Sequence, residues 1–122
     1  MAARQRAPLR GEIWFVQMNV DPPGKGRRPV IIVSLDARNR HERADTVLVV
    51  PLSTSIHHRD VPTHLFLPAG ETGLQADSIA RAEDITVVRK ASLVEPQGRL
   101  RQLSDTRVCE IARKVSIAMG CF

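Results

Sequence analysis

At 122 residues and 43% apolar, the chain is long enough for one folded core and too short for two, and its composition excludes a disordered polymer. Eighteen Lys and Arg against thirteen Asp and Glu give a net charge of +5 with arginine well ahead of lysine, which favours a polyanionic partner such as a nucleic acid, or an acidic protein. Three Phe, one Trp and no Tyr argue against a surface built from stacked aromatic rings, and no stretch approaches the ~20 apolar residues of a membrane span.

Residues 1–9 read as a flexible basic arm. Arg4, Arg6 and Arg10 have no apolar run behind them, so no secretory signal is expected. Ile13 to Met18 predicts a mostly buried strand, and the breakers Asp21, Pro22, Pro23, Gly24 and Gly26 predict a loop. Pro29 is expected to open the second strand, where its missing amide hydrogen costs least, with Val30 to Val33 continuing it. Residues 36–45 read as an exposed polar connection. Thr46 to Leu52 predicts a third strand, ended by Pro51 and the Ser53-Thr54-Ser55 cluster. A polar loop containing His57, His58, Arg59 and Asp60 leads to a short strand from His64 to Leu67. Beyond the turn residues Pro68, Gly70 and Gly73, Ser78 to Val88 reads as one further strand. Ala91 to Leu93 reads as a single helical turn, and Arg99 to Leu103 as a last short strand. The clearest helix follows. Ser104 is a good N-cap and Asp105 suits the positive end of the dipole. Val108, Ile111, Ala112, Val115, Ala118 and Met119 form an apolar stripe, and Gly120 supplies the stop. Short strands followed by one amphipathic helix fit a small barrel or curled sheet closed by a helix.

Three blocks carry the chemistry: Arg10 to Val16, Arg27 to Ser34 and Thr46 to Ser55. Each sets a polar or cationic junction at the end of a β-branched strand. The Arg28 guanidinium before Pro29, with the Ser53 and Thr54 hydroxyls at another strand end, is equipped to grip a phosphate, because the planar donor fork matches phosphate oxygens. Bland readings stay open beside this one. Arg28 is also what a solvated loop end looks like, and Ser53 with Thr54 is also a strand-ending hydroxyl turn. On a strand, Arg81 and Glu83 project from one face and Asp84 from the other, which is equally the pattern of an exposed ion pair. His57 and His58 suit a solvated loop, His64 a strand edge, and His41 a charged connection. None of these, nor Cys109 and Cys121, has the spacing of a zinc site, and the two cysteines are expected as free thiols.

At the three blocks and at Arg81-Ala82-Glu83, the chain resembles the MazF/PemK (Kid) family of toxin ribonucleases, from about Arg10 to Gly120. The resemblance implies a mainly β fold with α: a small CcdB/PemK-type β-barrel, Src-homology-3-like, closed by a C-terminal helix. It implies one domain over 10–122 and a homodimer. It further implies a metal-independent, cofactor-free, sequence-selective endoribonuclease (an mRNA interferase). Such an enzyme cuts single-stranded RNA to 2′,3′-cyclic phosphate and 5′-hydroxyl ends. Arg28 matches the family's Arg-Pro pair, and Ser53, Arg81 and Glu83 match its other catalytic positions. A guanidinium almost never releases a proton, so Arg28 is expected to stabilise charge rather than act as an acid. Glu83 is the expected base beside Arg81, and an alignment slip of one would promote Asp84. Lys25, Arg27, Thr54, His57 and His58 are the expected RNA contacts. Two departures stand out: Ser53-Thr54 inverts the usual Thr-Ser order, and the loop at 22–26 is shorter and lacks the family's Glu and His. The implied partner is a cognate antitoxin with an acidic, partly disordered tail, with operator DNA bound only through that complex and a cytoplasmic setting. One rival is a CcdB-like, non-enzymatic gyrase poison. That reading wants a Trp-Gly-Ile type tail, whereas this chain ends Met119-Gly120-Cys121-Phe122 and its only tryptophan is Trp14. Another is an inactive relative that only binds nucleic acid.

Overall fold

The computed structural model describes residues 6–17, 26–96 and 101–121. Seven strands form one antiparallel sheet: β1 (Ile13–Gln17), β2 (Arg27–Ile32), β3 (Thr46–Ser53), β4 (His64–Leu67), β5 (Ser78–Arg81), β6 (Thr86–Arg89) and β7 (Leu93–Val94). The hydrogen-bonded order is β4-β5-β3-β2-β1-β7, and β6 pairs with the first half of β3. Two one-turn helices, α1 (Asp36–Asn39) and α2 (Ala69–Thr72), sit in connections, and α3 (Asp105–Ala118) follows the sheet.

Both faces of the central strands are buried, which is why their sequences are nearly continuous runs of Val and Ile. Side chains alternate across a strand. Ile13, Ile31, Val50 and Leu52 therefore join Leu65, Leu67, Val108 and Ile111 in a core under α3. Trp14, Val16, Val30, Ile32, Val47, Val49 and Leu93 form a second core on the other face. Trp14 is fully buried, and its indole Nε1 donates to Glu12 Oε1 at 3.2 Å. Of the N-terminal arm, Arg6 to Leu9 lie among the described residues. There Arg6 stacks 5.1 Å from the Trp14 ring and pairs with Glu12 at 2.9 Å and Glu95 at 2.6 Å.

Several sequence expectations change. Pro29 is the third residue of β2, not its first. It faces Phe15 on β1, but the β2–β3 register begins only at Val30, opposite Pro51. Pro51 likewise falls in a gap, because β6 pairs with β3 only up to Val49 and β5 only from Leu52. Each proline thus stands where the ladder is one-sided, so the missing N–H costs no sheet hydrogen bond. The strand expected from Ser78 to Val88 is broken by a 3₁₀ turn, Ala82–Asp84, lying across from that gap. Ala82 N–H donates to the Thr63 carbonyl and Ile85 N–H to that of Ala82, so the turn's main chain is satisfied outside the β3 ladder. The connection at 36–45 contains α1, fastened by buried Asn39, whose Nδ2 donates to the Ser34 carbonyl at 3.0 Å. The strand expected from Arg99 to Leu103 reduces, within the described residues, to one bridge between Gln102 and Glu12. The end of the first expected strand, Met18, lies outside the described residues.

The helix α3 starts as read. Ser104 Oγ accepts from the Arg107 N–H at 3.2 Å, and Gly120 takes φ +83° beyond the end. Its stripe is narrower than expected: Val108 and Ile111 are buried, while Ala112, Ala118 and Met119 face solvent. No helix among the described residues is long and apolar enough to cross a membrane.

Candidate active site

Where the two prolines leave the ladder one-sided, the ends of β2, β3 and β5 border a cleft of about 870 Å³, within the usual size of a ligand site. Phe15, Pro29, Pro51 and Leu74 give it an apolar shelf, while Arg28, Ser53, Thr54, Gln75, Arg81 and Asp84 give it a polar rim. The sheet therefore brings Arg28, Ser53, Thr54 and Arg81, far apart in sequence, to one hollow.

Arg28 is exposed, and its guanidinium has no hydrogen-bonded or ion-paired partner among the described residues. A free planar fork at the edge of a cleft is ready to receive an anion. Ser53 Oγ accepts the Ser55 N–H at 3.1 Å, which is the hydroxyl turn that the sequence allows. That bond uses a lone pair, so the hydroxyl hydrogen stays available to donate into the cleft. Thr54 is exposed on the same rim. Arg27 alternates to the other face of β2, where its Nε donates to Gln17 Oε1 at 3.4 Å, and it does not line the cleft. Lys25 lies outside the described residues. His57 and His58 border a smaller hollow of about 350 Å³, which shares Ser53, Ser55 and Arg81 with the cleft.

The two carboxylates beside Arg81 differ. Glu83 does not line the cleft. It is held by a hydrogen bond from the Thr63 hydroxyl, by His64 Nε2 at 2.7 Å and by Arg81 Nε at 3.2 Å. His64 Nδ1 lies 2.7 Å from the His58 carbonyl oxygen, so both ring nitrogens face acceptors. Burial pushes the Glu83 carboxyl up, but the hydrogen bonds from Thr63, His64 and Arg81 outweigh it and hold the group below the ordinary value of 4.5. Asp84 lines the cleft and shares the same Arg81 Nε at 3.2 Å. Arg81 thus bridges both carboxylates through one nitrogen, while its terminal nitrogens stay free among the described residues. The 3₁₀ turn explains the difference: on a continuous strand Glu83 would share the Arg81 face and Asp84 would point away, whereas the turn brings Asp84 to the cleft. The support from Thr63 and His64 was not read from sequence. Its signal is the β4–β5 register, which sets His64 opposite Arg81. Among the described residues no group of three or more His, Cys, Asp or Glu is arranged to hold a metal ion.

Comparison with known proteins bears on this site. The family described as PemK-like, MazF-like toxin of type II toxin–antitoxin system matches residues 9–119. The probable endoribonuclease MazF5 of Mycobacterium tuberculosis is 32% identical over 114 residues, covering 93% of this chain and 94% of that protein. The endoribonuclease MazF of Staphylococcus saprophyticus is 27% identical over 113 residues, covering 91% and 90%. Among solved structures, a mycobacterial endoribonuclease in complex with its cognate antitoxin superposes with a TM-score of 0.68 at 28% identity, covering 93% of this chain and 96% of that one. A MazE–MazF crystal structure from Deinococcus radiodurans gives a TM-score of 0.73 at 18% identity, covering 96% and 100%, a likeness of fold. The fold is that of these toxins: a small antiparallel sheet with a C-terminal helix.

Proposed function

From the premise that the chain belongs to the PemK-like, MazF-like toxins of type II toxin–antitoxin systems, we propose that it is a metal-independent endoribonuclease cutting single-stranded RNA. The observation that carries this reading is the meeting in one cleft of Arg28, unpaired among the described residues, the Ser53 hydroxyl, whose oxygen accepts the Ser55 N–H, and Arg81.

The chemistry follows from those groups. The ribose 2′-hydroxyl attacks the adjacent phosphorus, and the phosphorus–5′-oxygen bond breaks. The departing 5′-oxygen takes a proton from solvent water, so the products are a 2′,3′-cyclic phosphate and a 5′-hydroxyl. Negative charge builds on the non-bridging oxygens, and preorganised donors stabilise it more in the transition state than in the ground state. Arg28 and Arg81 neutralise that charge, and Ser53 donates to one oxygen. Glu83 lies outside the cleft lining and is paired with Arg81. When Arg81 turns to the phosphate it frees one of the about four acceptor positions of the carboxylate, and Glu83 then accepts the 2′-proton. Thr63 and His64 hold it in place meanwhile. Thr54 contacts the sugar–phosphate backbone on the rim, Arg27 adds a cationic contact beyond it, and His57 and His58 flank the neighbouring nucleotide in the smaller hollow. The +5 charge suits a cognate antitoxin whose acidic, partly disordered tail covers this cleft in the cytoplasm. The toxin acts as a homodimer and meets operator DNA only through that antitoxin.

The test is a long RNA incubated with purified protein in chelator, with both new ends mapped. Cyclic phosphate and 5′-hydroxyl ends, lost on Arg28→Ala, support the reading. Full cutting by Arg28→Ala, or cutting that needs added divalent metal, removes it. Absence of cutting together with blocked gyrase supercoiling returns the gyrase alternative.

A further inference from the structure

We infer that Asp84 is a specificity-determining residue, an acceptor on the cleft wall that pairs with the exocyclic amino group of a nucleobase beside the scissile phosphate. The inference deepens the RNA-cutting reading and rests on it.

The pairs Val49–Thr86 and Leu52–Ala80 place the 3₁₀ turn Ala82–Asp84 across from Val50 and Pro51. Asp84 therefore sits at the side of the cleft floored by Pro51, Pro29 and Phe15. An apolar lining suits the face of an unpaired base, which is how single-stranded RNA is commonly read. Arg81, paired with Asp84 at 3.2 Å, offsets the repulsion between this carboxylate and the phosphate that Arg28 and Ser53 hold.

Among the described residues, Asp84 has one partner, Arg81 Nε on Oδ2, so a residue that lines the cleft keeps Oδ1 without a partner. Its neighbour Glu83 has three donors and does not line the cleft. Of two adjacent carboxylates, only Asp84 is free to meet a base.

The chemistry then selects. An ionised carboxylate only accepts hydrogen bonds. Cytosine, adenine and guanine each offer an exocyclic amino group, whereas the exocyclic groups of uracil are carbonyl acceptors that repel it. The position contacted by Asp84 therefore disfavours uracil.

The experiment uses an RNA pool randomised over a short window, cut by wild type, Asp84→Asn and Glu83→Gln, with cut sites mapped. The same proteins are tested for binding to a 2′-fluoro version of the pool, which has no attacking hydroxyl. Wild type should disfavour uracil about tenfold at one position next to the cut, the usual scale of discrimination by one good base contact. Asp84→Asn, whose amide both donates and accepts, should erase that bias. Glu83→Gln should slow cutting and keep it. An unchanged base profile in Asp84→Asn, whatever its rate, overturns the assignment. If wild type cuts no RNA, the functional reading falls on its own, and the 2′-fluoro profile still decides: loss of uracil discrimination in Asp84→Asn keeps the assignment, and an unchanged profile removes it.

Discussion

The two ends of β3 differ in what surrounds them. Its first half, Thr46 to Val49, runs beside β6, and its middle runs beside β2, so Val47, Val49 and Val50 are fully buried. Its last residues, Pro51 to Ser53, border the cleft. The same division runs along β2, where Ile31 and Ile32 are buried and Arg28 is exposed. One strand thus has a buried end and a cleft end, and the groups proposed to be reactive are positioned by residues packed away from the cleft.

Substitutions at the two ends should separate these properties. Ile32→Ala leaves a cavity in the second core and should cost about 2–5 kcal/mol. Chemical denaturation would register that loss, while the cutting rate per folded molecule stays near wild type. Arg28→Ala should do the reverse, lowering the cutting rate about 10²–10³-fold, as removal of one preorganised donor does. Its unfolding midpoint should move by no more than a surface change, about 0.5 kcal/mol. If Arg28→Ala unfolds the protein, the division fails. Ser53→Ala should slow cutting about ten- to a hundredfold, the worth of one hydrogen bond to a charged group, which single-turnover kinetics would read.

A finer contrast lies between two ion-paired glutamates. The hydrogen bond from Arg107 holds Glu71 below the ordinary carboxylate value against the opposing effect of burial, and this pair ties α2 to α3. Glu83 is held low beside the cleft. Both folded values lie below the unfolded one, so their stabilisation is present above about pH 4.5 and is lost as pH falls through the folded values. Glu71→Gln and Glu83→Gln should each flatten the acid side of a melting-temperature profile. Only Glu83→Gln should also slow RNA cutting. A similar loss of cutting in Glu71→Gln would erase the distinction.

Much of this arrangement was legible in the residues. The β4 bounds, the Ser104 cap and the placing of Arg28 and Ser53 near strand ends follow from local patterns. The break at Ala82–Asp84 was not legible, because the segment Arg81-Ala82-Glu83-Asp84 has no glycine or proline to mark it. Its cause is non-local: Thr63 takes the Ala82 N–H from another strand. From that one miss came two others, the facing of Asp84 and the hold of Thr63 and His64 on Glu83. The outer end of the α3 stripe was over-read because periodicity reports an apolar face, not how far the sheet extends beneath it.

Pro29 and Pro51 have a consequence for competition at the cleft. Neither can offer a main-chain donor, so an extended peptide that zips onto this floor as a further strand forfeits two hydrogen bonds. A competing segment therefore gains more from its side chains, chiefly by carboxylates on arginine. Its grip should loosen steeply as ionic strength rises, whereas backbone zippering would be far less sensitive.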